Sequence, residues 1–234
     1  MHSSQKTEDT EKFFNQWAIY QRVIAENYMV HAEIAMTLQR FLQALPLHRL
    51  RFLDLGCGDA FIAKKILAAC ELEQYCGVDL SPTALQFAEA NLKALACTKH
   101  FITEDLTVSI AGYQQEFDII CAGYSLHHLQ LVEKQNFFKL CANALKVNGY
   151  FLMYDLIRIE PETRSQCLQR HWQTYSQWAF SESELSSIKT HVFAQDHAES
   201  SQSLNVMATN AGFKSMENLY VDQQNLFAVY CFAN

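Results

Sequence analysis

The apolar run Leu50-Arg51-Phe52-Leu53-Asp54-Leu55 ends on the turn Gly56-Cys57-Gly58, and a helical pattern, "AFIAKKILAACEL", starts directly after it. A buried strand that stops on closely spaced glycines and passes straight into a helix is the opening of a βαβ unit. The same switch recurs down the chain. "YCGVDL" (75–80) is followed by Ser81-Pro82, an N-cap with proline at the first helical position, and then by "TALQFAEANLKALA". "KHFITEDL" supplies a third strand and its exit loop, and "FDIICA" (117–122) a fourth. The helix "VEKQNFFKLCANALKV" is expected to stop at Asn148-Gly149, ahead of a fifth strand, "YFLMYDL" (150–156). Strands alternating with helices specify a mostly parallel sheet covered on both faces. The closing stretch "MENLYVDQQNLFAVYCF" reads as two strands around the turn "DQQN". The expected fold class is therefore α/β, a doubly wound seven-stranded mostly parallel sheet with an antiparallel terminal hairpin.

Two helical additions flank this rhythm. Residues 13–45 carry Ile24, Tyr28, His31, Ala35, Leu38 and Leu42 at steps of three or four, up to Pro46, as one long helix or two shorter ones. Residues 157–206 are polar and serine-rich, with Ser181 and Glu184 at capping-box spacing, and read as a helical insertion after the fifth strand. The reading is one domain over residues 1–234. It comprises a helical N-terminal extension (13–45), a ligand-binding core (48–156), a helical cap (157–206) and a terminal hairpin region (207–234). Only 7 glycines and 3 prolines among 234 residues argue against disorder and against a loop-rich β-sandwich.

A net charge of −7 without any block of Lys or Arg disfavours nucleic acid as a partner. The 8 cysteines form no Cys-x-x-Cys and sit mostly in apolar segments, which suits free thiols in a reducing cytoplasm. "MHSSQKTEDTEK" lacks the apolar centre of a signal peptide, and no apolar stretch approaches the length of a membrane span. Nothing in the pattern specifies an oligomeric state.

The glycine turn narrows the ligand. A dinucleotide fingerprint, G-x-G-x-x-G, would need a third glycine where Phe61 stands, so NAD or FAD is disfavoured. "FLDLGCGDAF" instead resembles the first motif of class I S-adenosylmethionine (SAM)-dependent methyltransferases. "GVDLSPTALQFAEANL", "ITEDL", "FDIICAGYSLHHL", "LKVNGYFLMYDL" and "NAGFKSMENLYVDQQNLFAVYCF" resemble that family's later elements, in order. The resemblance covers residues 48–156 and 207–233. It implies SAM as methyl donor and S-adenosylhomocysteine as product. It also implies a cofactor site built from Asp54, Leu55, Gly56, Cys57 and Gly58; from Asp79 and Leu80; from Glu104, Asp105 and Leu106; and from Ala122, Gly123, Tyr124 and His127. Asp79 is expected on the ribose hydroxyls, Glu104 or Asp105 on the adenine amino group with Asp105 preferred, and Asp54 on the glycine turn or the methionine moiety. In families with such a helical extension it folds over the pocket, which would bring Tyr20 and Arg22 to the cofactor carboxylate.

The methyl group of a sulfonium is already activated, so the enzyme mainly aligns the acceptor and excludes water. A base is needed only where the acceptor must lose a proton. His127 and His128 are the leading candidates, with Tyr154 and Asp155 as alternatives. Tyr28, His31, Arg158 and Trp172 are candidate acceptor contacts. No metal is expected, because no acid or cysteine motif completes a ligand set around the histidine pair. The expected reaction is SN2 transfer to an oxygen or nitrogen of a small metabolite. A protein or RNA methyltransferase and a non-catalytic SAM-binding protein are the alternatives.

Overall fold

The computed structural model describes residues 17–46 and 48–234 of the chain. Seven strands form one sheet in the order β3-β2-β1-β4-β5-β7-β6. They are β1 (Leu50–Leu55), β2 (Leu72–Asp79), β3 (Thr98–Thr103), β4 (Phe117–Gly123), β5 (Leu145–Leu156), β6 (Ser215–Val221) and β7 (Phe227–Ala233). β1 to β5 pair in parallel, and β7 inserts antiparallel between β5 and β6. The chain winds outward from β1 in both directions, so a crevice opens at the carboxyl ends of β1 and β4, where the direction reverses.

Alternation along the strands loads both faces of the sheet. On one face Leu53, Ile120, Phe151 and Phe232 pack against helices α6 (Leu131–Ala144) and α9 (Ser201–Ala211). On the other, Phe52, Tyr75, Ile119, Leu152 and Val229 meet α2 (His31–Ala44), α3 (Phe61–Ile66) and α4 (Pro82–Asn91). The helix starts follow their sequence signals. Ser81 accepts from Ala84 N with Pro82 in the first turn, and Ser181 and Glu184 close a capping box on α8 (Glu182–Gln195).

One open alternative is decided and two expectations change. The extension is two helices, one described over residues 17–25 (α1) and then α2, because Asn27 and Val30 take left-handed backbone between them. Tyr28 therefore lies in a turn and not on a continuous helical face. Second, α6 stops at Ala144, and Leu145 already pairs with Phe117 in β5. Asn148, at φ 64°, belongs to an irregularity inside that strand, where the Asn-Gly pair imitates a helix stop. Third, the polar insertion divides. α7 (Arg164–Tyr175) and α8 build a separate cluster with Val23, Leu156, Trp178 and Phe227, whereas α9 buries Leu204, Met207 and Ala208 in the main core.

Candidate active site

Each parallel strand delivers one part of the site at its carboxyl end. After β1, Gly56 turns at φ +72°, and a Cβ there would stand 2.9 Å from Ser125 Cβ. Glycine is thus required both for the backbone angle and for the close approach of the loop after β4. Asp79, ending β2, holds this turn: its Oδ2 accepts from Gly58 N at 2.8 Å and its Oδ1 from Ser81 N at 2.8 Å. Each oxygen keeps a second lone pair for a ligand hydroxyl. Asp54 is buried beneath the turn and accepts from Tyr75 Oη at 2.9 Å.

Three connected spaces surround these groups. A cleft of about 310 Å³ runs past Tyr20, Asp54, Gly58, Asp79, Gly123 and Tyr154. A second space, about 270 Å³, continues beyond Gly56 and Asp79 between Leu80, Glu104, Leu106 and His128. A third, about 250 Å³, lies on the far side of Tyr124, beneath α1 and α8. Tyr124 lines all three, held in left-handed backbone at φ 48° with its hydroxyl donating to Met29 O. Tyr20 and His31 line both the first and the third. A Cβ on Gly123 would fall 1.8 Å from the Tyr154 ring, so that glycine is what lets the ring stand in the cleft wall.

The structure redistributes the residues named from sequence. Asp105 caps the short helix α5 (Leu106–Ile110), its Oδ1 accepting from Thr107 N at 2.8 Å, while Glu104 faces the second space free of such a duty. Leu55 and Ala122 are fully buried beneath the turns, and their side chains line none of the three spaces. Arg22 does not reach the cleft. It pairs with Glu184 at 3.0 Å and lies over the Phe180 ring, since two residues along a helix separate it from Tyr20 by more than a half-turn of direction. Tyr28 is stacked on Trp178 with ring centroids 4.9 Å apart, and its hydroxyl accepts from Ala179 N. Arg158 is engaged by Glu160 and by Glu162 O, and Trp172 lies under Lys189, so both serve the cap rather than a cavity. Trp178 and Tyr175 take the place in the third space that Trp172 was expected to hold.

His127 lines the third space and neither of the other two. Asp155 is not free to act as a base. Its Oδ1 contacts His127 Nδ1 at 2.5 Å and accepts from Leu156 N, while Oδ2 accepts from His127 N at 3.0 Å. Burial opposes ionisation of both members, but their contact prevails: the His127 imidazole is held above its ordinary value and the Asp155 carboxyl below its own. His128 is pushed down to about 3 by burial and by His127 and His191 beside it. Burial lowers His31 to about 4, leaving it neutral at pH 7.

Sequence reasoning missed Asp59, which accepts from Tyr20 Oη at 3.1 Å and so latches α1 over the cleft. It also missed Tyr75, His191 and Asp196. Asp59 sits in the glycine turn and was legible in principle. The other three become relevant only through contacts across the fold.

Burial lifts Asp54 to about 7, with Tyr75 opposing and Asp79 reinforcing the shift. The folded value lies above the ordinary carboxylate value, so ionisation is disfavoured until pH rises through about 7. An ammonium group bound beside Asp54 favours the ionised form. Cofactor affinity therefore rises from pH 6 toward pH 8, and Asp54→Asn abolishes that slope; calorimetric titration with S-adenosylhomocysteine across pH reads it out. A flat wild-type profile rules out the ammonium contact.

Comparison with known proteins agrees with this geometry. Residues 52–149 match a family model described as a methyltransferase domain. Carboxy-S-adenosyl-L-methionine synthase of Campylobacter concisus is 27% identical over 175 residues, covering 71% of this chain and 70% of that protein. Among solved structures, a Bacillus halodurans protein described as a putative methyltransferase superposes with TM-score 0.60 at 13% identity, covering 85% of this chain and 96% of its own. The complex of the Haloferax volcanii Trm112 methyltransferase activator with a putative methyltransferase gives TM-score 0.63 at 12% identity, covering 94% and 95%. The family-model match spans the strands that carry the glycine turn and the Asp79 carboxylate, and it supports residues 52–149 as an S-adenosylmethionine-dependent methyltransferase domain of class I.

Proposed function

We propose that the protein transfers the SAM methyl group to an oxygen or nitrogen of a small, largely apolar metabolite held in the third space. The observation that carries this reading is the position of that cavity. It shares Tyr20, His31 and Tyr124 with the cofactor cleft and is otherwise walled by apolar groups such as Met29, Leu156 and Trp178. Away from that border, His127, His191 and Asp196 stand together in its wall. A flat or aromatic acceptor fits such walls, with its nucleophilic atom set against the polar side.

In the transfer, a lone pair of the acceptor forms a bond to the methyl carbon as the carbon–sulfur bond breaks. The electron pair stays on sulfur as S-adenosylhomocysteine, and the acceptor's proton leaves toward the polar wall. Tyr124 and Tyr154 line the cleft, where their aromatic faces would stabilise a cationic sulfonium, and Asp54 and Asp79 would complement the net positive charge of SAM. The name of the Campylobacter relative points to a carboxylated cofactor. A further carboxylate on the transferred carbon calls for a cationic partner, and no Lys or Arg lines these spaces among the described residues. Unmodified SAM therefore suits the cleft better.

The roof formed by α1 and α8 favours a small acceptor over a protein or RNA, as does the net charge of −7. All 8 cysteines are free, in keeping with a cytoplasmic reaction. Among the described residues no helix is long and apolar enough to cross a membrane. The test is incubation with methyl-labelled SAM and separate pools of metabolites, proteins and RNA. Label is expected in the metabolite pool, with His127→Ala lowering turnover by roughly 10²–10⁴-fold at unchanged S-adenosylhomocysteine affinity. Label in protein or RNA alone overturns the small-molecule assignment.

A further inference from the structure

The polar wall holds an arrangement that methyl transfer does not by itself require. Asp196 is 3% exposed, and its Oδ1 has no hydrogen-bond partner. Three imidazoles converge on that one oxygen: His127 Nε2 at 3.8 Å, His128 Nδ1 at 3.7 Å and His191 Nε2 at 3.9 Å. A buried carboxylate oxygen left unpaired is costly, and here it faces nitrogens held too far away to bond to it. We propose that His127, His128 and Asp196 bind one divalent transition-metal ion of the zinc class, with His191 in reach as a fourth donor.

The spacing fits such an ion. Bonds of about 2.0–2.1 Å in tetrahedral geometry set donors about 3.3 Å apart; each imidazole stands about half an ångström beyond that from the Asp196 oxygen, and the ligand atoms of His127, His128 and Asp196 all lie within 4.8 Å of one another. Imidazole and carboxylate donors suit zinc, iron or cobalt rather than magnesium or calcium. The donors are also held in place. His127 Nδ1 is occupied by Asp155, which leaves Nε2 as the ligating atom and forms the carboxylate–histidine support common behind metal-binding imidazoles. The Asp196 backbone is tied by Arg164 Nε, which donates to its carbonyl at 2.7 Å, and the next residue, His197, donates its N–H to His127 O at 2.6 Å. The site therefore bridges the loop after β4 and the cap helix α8. His127, His191 and Asp196 also line the proposed acceptor cavity. An acceptor hydroxyl could take an open position on the ion and have its acidity raised there. That consequence rests on the proposed function; the binding of the ion does not.

The experiment is titration of chelator-treated protein with Co²⁺, followed by its visible absorption and by calorimetry, with Zn²⁺ as competitor. One equivalent is expected to bind with the visible bands of a four- or five-coordinate nitrogen–oxygen site, and Zn²⁺ should displace it. Asp196→Asn and His128→Ala should each weaken binding by about 100-fold or more. Asp196→Asn should keep the wild-type affinity for S-adenosylhomocysteine, which shows that it is folded. Substoichiometric binding, or wild-type affinity in both variants, overturns the metal site and leaves the labelled-transfer result to judge the acceptor reading separately.

Discussion

Asp155→Ala is expected to lower the unfolding free energy by about 3–5 kcal/mol, the range for removing one partner of a buried ion pair. Asp155 is 1% exposed and serves three donors, the His127 imidazole, His127 N and Leu156 N. Alanine leaves all of them without an acceptor in a place that water does not reach, and it strands a charged or strongly polar imidazole. For a chain of this length the loss corresponds to roughly 6–20 °C in Tm. Asp155→Asn keeps one acceptor and should cost less, which separates the loss of charge from the loss of shape. Thermal or denaturant unfolding of the two variants decides it. A change below about 1 kcal/mol for Asp155→Ala would mean that the pair contributes no more than an exposed salt bridge.

The second large effect concerns the cofactor. Asp79→Ala should weaken S-adenosylhomocysteine by about 1.5–3 kcal/mol, the scale of a charged hydrogen bond, or roughly 10- to 150-fold in Kd. The carboxylate acts twice: it fixes the glycine turn through Gly58 N, and its remaining lone pairs face the cleft that continues past Gly56. Asp79→Ala removes both functions. Calorimetric titration measures the loss, and hydrogen exchange at Gly58 and Ser81 shows whether the turn loosens as well. An unchanged Kd would remove Asp79 from the ribose site.

The cofactor end of the site was readable because its parts are local. A strand end, a glycine turn and a helix start occupy consecutive residues, so the turn at Gly56 and Gly58 follows from short-range pattern, and the resemblance of the motifs around it implied the places of Asp54 and Asp79. The end proposed for the acceptor was not readable in this way. Sequence inspection treats Asp155 as a free carboxylate at a strand end. In the fold, β5 pairs with β4 so that Gly123 lies opposite Tyr154, and the next residue, Asp155, falls beside the turn that carries His127. The candidate base becomes the support of another residue. Arg22 fails for a geometric reason of the same kind: helical spacing sends it to Glu184 on the cap while Tyr20 turns into the cleft.

The histidine pair marks the boundary between the two kinds of information. By itself the sequence determined a doubly wound α/β sheet and the ligand crevice at its strand ends, because period, turns and caps act over a few residues, and the resemblance of its motifs implied the nature of the cofactor. The tertiary structure alone decided what surrounds His127 and His128. Asp196 and His191 reach them from α8 and its exit, more than sixty residues along the chain, carried there by the packing of the cap on Leu156 and Phe227. Side-chain chemistry is set by neighbours within a few ångströms, and which neighbours those are is fixed by burial of the apolar cap and not by distance along the sequence.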